Sequence, residues 1–136
     1  MEIKFFLAMK PPTVTHQEKK VRTVKGKPVF YEPPELKDAR AKLMAYLSGH
    51  APEKPFSGRA LELRVMWCFP ADGRWGIADG DFRITKPDTD NLQKLLKDCM
   101  TKTGFWKDDA LVARETVEKR WAVDSVPGIW IQVSEL

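Results

Sequence analysis

The sequence predicts a single compact α+β domain, a mixed β-sheet of about four to five strands carrying two main helices. Three observations predict it. Four stretches alternate apolar and polar residues at the two-residue period of a strand. Two others repeat apolar residues at helical spacing, Leu36-Ala39-Leu43-Leu47 and Leu92-Leu95-Leu96-Cys99-Met100. The two kinds interleave as strand, strand, helix, strand, helix, strand, strand over 136 residues, a length that suits one core spanning 1–136.

In chain order, Glu2–Met9 reads as a strand with Ile3, Phe5 and Leu7 on one face, ended by Pro11-Pro12. Residues of about 10–28 form a polar, basic arm with a turn signal at Lys25-Gly26-Lys27. Val29-Phe30-Tyr31 then makes a short strand in a loose hairpin with that arm. Pro33-Pro34 stops it and opens the first helix, which Ser48-Gly49 closes. Ala60–Phe69 is the clearest strand: Leu61, Leu63, Val65, Trp67 and Phe69 alternate with Glu62, Arg64, Met66 and Cys68. A loop rich in Gly and Asp follows at about 70–86; connections of that length are functional, mobile or plain surface insertions. The second helix runs from about Asp88 to Lys102, with Thr103-Gly104-Phe105-Trp106 as stop and turn. Leu111–Val123 reads as a long strand with Ala113, Val117 and Trp121 on one face, interrupted by Lys119, and Arg114, Thr116, Glu118 and Arg120 on the other. Val126-Pro127-Gly128 turns the chain into a last strand in which Ile129, Ile131 and Val133 alternate with polar neighbours.

Hydrophobic residues make up 43% of the chain, which excludes disorder throughout. The net charge of +4 is unevenly spread. Residues 1–30 hold seven basic side chains, Lys4, Lys10, Lys19, Lys20, Arg22, Lys25 and Lys27, against Glu2 and Glu18; the remainder is near neutral. A basic N-terminal segment beside an acidic cluster suits a polyanion held against a metal, and equally suits a solvated hairpin. Cys68 and Cys99 lack metal-type spacing and read as reduced core thiols of a cytoplasmic protein. No apolar run is of membrane-spanning length, and Lys10-Pro11-Pro12 cuts short the run that a signal peptide would need.

The chemistry concentrates in Lys86-Pro87-Asp88-Thr89-Asp90-Asn91-Leu92-Gln93-Lys94, with Asp108-Asp109 downstream. Pro87 forbids helix before it and favours a first turn after it, so Asp88 and Asp90 fall at a helix N-terminus, where the free amides and the dipole favour carboxylates. Lys94 follows Asp90 by one helical turn. Asp108 and Asp109 precede the start of the next strand. Three or four carboxylates can therefore meet where one helix and one strand begin, an oxygen set that suits a hard cation such as magnesium. The competing readings are a helix cap, an Asp90–Lys94 surface pair and an ordinary turn. A calcium loop counted from Asp88 is excluded, because its sixth position is Gln93 and its twelfth Cys99.

The runs at 86–94 and Gly-Phe-Trp-Lys-Asp-Asp-Ala at 104–110 resemble the RusA family of Holliday-junction resolvases, strongly over 86–119 and more loosely over the Met9–Thr13 arm and the closing strand. The resemblance implies a homodimeric, magnesium-dependent endonuclease, of a kind often carried by phages and prophages, acting in DNA recombination and repair by paired symmetric nicks in four-way or other branched DNA. Manganese is a possible substitute; no small-molecule cofactor and no membrane are expected. Matched residue by residue, Asp88, Asp90 and Asp109 take the places of the metal-binding catalytic acids, Lys94 that of the catalytic lysine and Asn91 that of the motif's asparagine on the DNA-binding side. Lys19, Lys20, Arg22, Lys25 and Lys27 of the arm, with Arg83, Lys107 and Lys119, are the candidates for tracking phosphates. The loop at 70–86 is longer and less basic than in some members, which bears on junction selectivity. The alternatives are a non-catalytic nucleic-acid-binding module and a metal-dependent nuclease preferring other branched DNA.

Overall fold

A computed structural model describes residues 1–15 and 20–136, with the backbone alone for 20–22, 24 and 29–31. Lys19 lies outside the described residues, as do the side chains of Lys20 and Arg22. The elements are β1 (Glu2–Leu7), β2 (Lys20–Val24), β3 (Lys27–Tyr31), α1 (Pro34–Ser48), β4 (Leu61–Pro70), α2 (Thr89–Lys102), β5 (Val112–Ala122) and β6 (Gly128–Glu135). The main sheet has the order β1-β6-β4-β5. β4 and β5 are parallel, joined by the crossover that contains α2, while β6 is antiparallel to both β1 and β4. The mixed α+β architecture expected from the interleaved periodicities is the one observed.

The period-two pattern of β4 becomes its burial pattern: Leu61, Leu63, Val65, Trp67 and Phe69 are buried, and Arg64 is exposed. Ile129, Ile131 and Val133 from β6 and Phe5 and Leu7 from β1 extend the same core. Leu36, Leu43 and Leu47 of α1 and Leu92, Leu95, Leu96, Cys99 and Met100 of α2 close it from the helical side. Gly128 has a steric role, since a Cβ there would meet Leu7 O at 2.3 Å and the Phe6 ring at 2.2 Å. Glycine thus lets β6 begin hard against β1.

The arm forms one strand of a two-stranded hairpin, β2–β3. Its turn places both Lys25 and Gly26 at positive φ, the combination that matches strand twist in two-residue turns. The strand expected from Leu111 begins at Val112, after a short 3-10 turn over Asp109–Leu111. Ala113 leaves the face assigned to it: the register passes from Leu61↔Val112 to Glu62↔Arg114, so Ala113 is an extra, exposed residue in a bulge. Beyond it Glu115, Val117, Lys119 and Trp121 share the face that meets α2. No helix among the described residues is long and apolar enough to cross a membrane.

Candidate functional site

The first turn of α2 starts at Asp88, whose backbone is extended (φ −72°, ψ 149°) as an N-cap requires, yet its side chain makes no capping hydrogen bond. The carboxylate is exposed, so capping does not account for it. Asp90, also exposed, accepts the Asn91 amide at 3.0 Å. Asp88, Asp90 and Asn91 line one cleft of about 270 Å³ with Thr13, Thr15, Lys86 and Pro87. The helix dipole and free amides make this a place where negative charge is tolerated.

The turn carrying Asp88 is strapped to β5. Lys119 Nζ donates to Thr85 O at 2.7 Å and to Pro87 O at 2.8 Å. Arg83 Nε donates to Thr85 Oγ1 at 3.1 Å, its guanidinium also donates to Lys86 O, and it stacks over Phe69 and Trp121. Burial first, then the Arg83 charge, lowers the Lys119 pKa, and the Asp88 charge opposes them. Arg83 itself is lowered, by burial and by Arg74.

Asp90 also borders a second cleft with Thr89, Gln93, Lys94, Lys97, Glu115 and Val117. Its floor is a polar chain. Trp67 Nε1 donates to Gln93 Oε1 at 2.8 Å, Gln93 Nε2 donates to Glu115 Oε2 at 2.6 Å, and Lys97 Nζ donates to Glu115 Oε1 at 3.0 Å. Gln93 is 4% exposed, so these bonds satisfy a buried amide and fix the rotation of α2 over the sheet. Lys94 pairs with Asp98 at 3.2 Å, one turn on, rather than with Asp90.

At the other end of α2, Gly104 at positive φ (91°) terminates the helix, with Phe105 N donating to Met100 O and Gly104 N to Thr101 O. Asp108 caps the following turn by accepting the Ala110 amide at 2.9 Å. Half-buried Asp109 lines a cleft with Asp98, Thr101, Lys102, Lys107 and Asp108. From Asp90 to Thr101 the helix rises about 16 Å, at about 1.5 Å per residue. Asp109 therefore lies beside the last turn of α2 and Asp88 and Asp90 beside its first. Among the described residues no group of three or more His, Cys, Asp or Glu side chains is placed to share a metal.

The structure thus brings Asp88, Asp90 and Asn91 together, sets Lys94 on the adjoining exposed face, and leaves Asp109 at the far end of the helix. Lys25, Lys27 and Lys107 are exposed. Arg83 and Lys119 turn their donors onto backbone carbonyls. Gln93, Lys97 and Glu115 were not singled out in the sequence. A signal existed: Gln93 stands on the buried stripe at helical spacing with Leu96 and Met100, and Glu115 has the parity of Val117 and Lys119.

Comparison with known proteins gives two findings. The family model for Endodeoxyribonuclease RusA matches residues 10–134. A crossover junction endodeoxyribonuclease rusA of Lactococcus phage r1t is 27% identical over 139 residues, covering the whole of both chains.

Proposed function

The chain belongs to the RusA endodeoxyribonuclease family, and from that premise we propose that it is a magnesium-dependent resolvase that nicks four-way DNA junctions in pairs, as a homodimer. The observation that carries this reading is Asp88, an exposed N-cap carboxylate making no cap bond, in one cleft with Asp90 and Asn91. A simple binding module gains nothing from two carboxylates facing a polyanion.

The donor set suits a hard divalent cation. Asp88 and Asp90 are exposed hard oxygen donors at a helix start, with manganese acceptable in place of magnesium. A bound divalent ion supplies a water of lowered pKa and neutralises phosphate charge. The protein's own groups do the rest. Asp88 and Asp90 hold the site's negative charge in place, Asn91 offers an amide to a phosphate oxygen, and Lys94 brings a cation to the developing charge. The basic arm, where Lys25 and Lys27 are exposed, and exposed Lys107 beside the last turn of α2 track the DNA backbone.

Asp109 enters this site only from a second copy. Carboxylates sharing one ion must approach within a few ångströms, and the two ends of α2 are about 16 Å apart. A two-fold axis across the α2–β5 layer exchanges those ends, setting Asp109 of each protomer toward Asp88 and Asp90 of the other. β5 is an edge strand of the main sheet; residues 80–83 bond its Lys119–Trp121 half, so it is the half nearer Asp109 that is left to a partner. Two such sites in one particle match the two strands to be cut.

The test is nicking of branched against linear duplex DNA with and without magnesium. Cleavage should be confined to branched DNA with metal, and Asp88→Asn and Asp90→Asn should each lose at least about a hundredfold, some 2.7 kcal/mol of barrier, while still binding junctions. Near wild-type cutting by either variant overturns that residue's role. Junction binding without cleavage under every metal condition leaves the binding module.

A further inference from the structure

We propose that Lys119, assisted by Arg83, is a positioning residue that aims Asp88 rather than a phosphate contact. The inference rests on the reading of Asp88 and Asp90 as acids of the cleavage site. Lys119 stands on the α2 side of β5, opposite Trp67 in register. Its ammonium donates to Thr85 O at 2.7 Å and Pro87 O at 2.8 Å. Arg83 donates to the carbonyl between them, Lys86 O, and its own backbone N–H donates to Lys119 O at 2.9 Å. Three successive carbonyls thus end on two cations, and one of those cations is tied to the backbone of the other. Asp88 follows immediately. Pro87 has no N–H and the Asp88 side chain makes no cap bond; the Leu92 amide donates to Asp88 O at 3.1 Å, which ties Asp88 to the helix after it and leaves the segment before it to the strap. Catalytic constellations need placement to within about 0.5 Å. A strap to the sheet supplies that, because β5 is fixed to β4 along its length.

A phosphate contact and a positioning strap differ in what their loss changes. Lys119→Met should lower kcat on junctions about ten- to hundredfold, the usual cost of removing a group that orients a site residue. Junction Kd and the slope of log K against log salt should stay unchanged. Lys119→Arg, which can still donate to both carbonyls, should recover most of the loss. Arg83→Met should shift kcat in the same direction by less, and it carries the same test should Lys119→Met fail to fold. A weakened Kd with a salt slope flatter by about one unit and intact kcat makes Lys119 a phosphate contact and overturns the proposal. So does wild-type behaviour of both variants. Asp88→Asn measured alongside separates the two levels: if it cuts normally, the reading of the acids fails; if it is dead and Lys119→Met is normal, only the strap fails.

Discussion

At the first turn of α2 the Asp88 side chain makes no cap bond, whereas just beyond the last turn Asp108 accepts the Ala110 amide. The two ends use the same residue types in opposite ways. At the start, carboxylates face solvent while the nearby cations, Lys119 and Arg83, turn inward onto carbonyls. At the end, Asp108 closes a turn, Asp98 meets Lys94, and Thr101 takes the Trp106 indole N–H at 2.7 Å. Local bonds account for Asp98, Thr101 and Asp108 at the end of the helix, and leave Asp88 without one at its start. Of the carboxylates at that end, Asp98, Asp108 and Asp109, Asp109 alone among the described residues has no such bond, and it is the residue that a partner's first turn would use.

The sharpest way to break this comparison is to mix two dead proteins. Asp90→Asn and Asp109→Asn are each expected to be inactive as pure proteins. If Asp109 serves the other protomer, a heterodimer of the two has one doubly damaged site and one intact site. Random pairing then restores about a quarter of wild-type nicking, as single nicks without resolution. Differently tagged subunits verify that heterodimers formed. Verified heterodimers with no nicking would put Asp109 to work within its own chain or remove it from the site. A readout independent of cleavage is available: Thr89→Cys mixed with Ala110→Cys should give disulfide-linked dimers that neither variant gives alone.

Lys94 tests the boundary between the two ends, since it starts near Asp90 and pairs toward Asp98. Lys94→Ala should cut cleavage about a hundredfold or more, the range for one lost group that stabilises developing charge, with stability nearly unchanged, because an exposed pair one turn apart is worth about 0.3–0.5 kcal/mol and Ala favours helix. Asp98→Asn should leave cleavage within about twofold. Equal activity in Lys94→Ala, measured under single turnover, makes Lys94 only the partner of Asp98.

Much of this was legible in the sequence because it depends on short-range patterning. Strand parity placed Leu61 to Phe69, helical spacing placed Leu92 to Met100, and Pro87 placed the start of α2. The Ala113 bulge was not legible, since only the register against Leu61 and Glu62 reveals it. The gathering of the acids was expected from chain order: one set opens a helix and the other precedes a strand. But α2 runs back along β5, as the Gln93–Glu115 bond and the Lys119–Pro87 bond show together, so the two starts fall at opposite ends of one layer. Lys119 looked like a basic residue interrupting an apolar face, and its partners 32 and 34 residues earlier are set by the fold of the long loop.

Acid pH should separate the ends once more, with the smallest effect. Near the first turn, the 70–86 loop is pinned by Asp79, which accepts the Ser125 hydroxyl at 2.6 Å and the Val123 amide at 2.7 Å. The Ser125 bond first, then the amide, hold this carboxyl below the ordinary aspartate value. A group whose folded pKa is depressed stabilises the fold above its unfolded pKa and loses that contribution as pH falls through the folded value. The pin should therefore weaken below about pH 4. The last turn is held differently: Phe56 N donates to Phe105 O at 2.9 Å and Lys107 N to Phe56 O at 3.0 Å, and neither bond titrates. Amide exchange corrected for intrinsic rates should show Gly80 and Arg83 losing protection as pH falls below about 4, while Phe56 and Lys107 keep theirs. In Asp79→Asn the first pair should be less protected at neutral pH and lose nothing further in acid. Parallel loss at both ends in the wild-type protein would mean that acid loosens the domain as a whole, and the two ends of α2 would then share one stability.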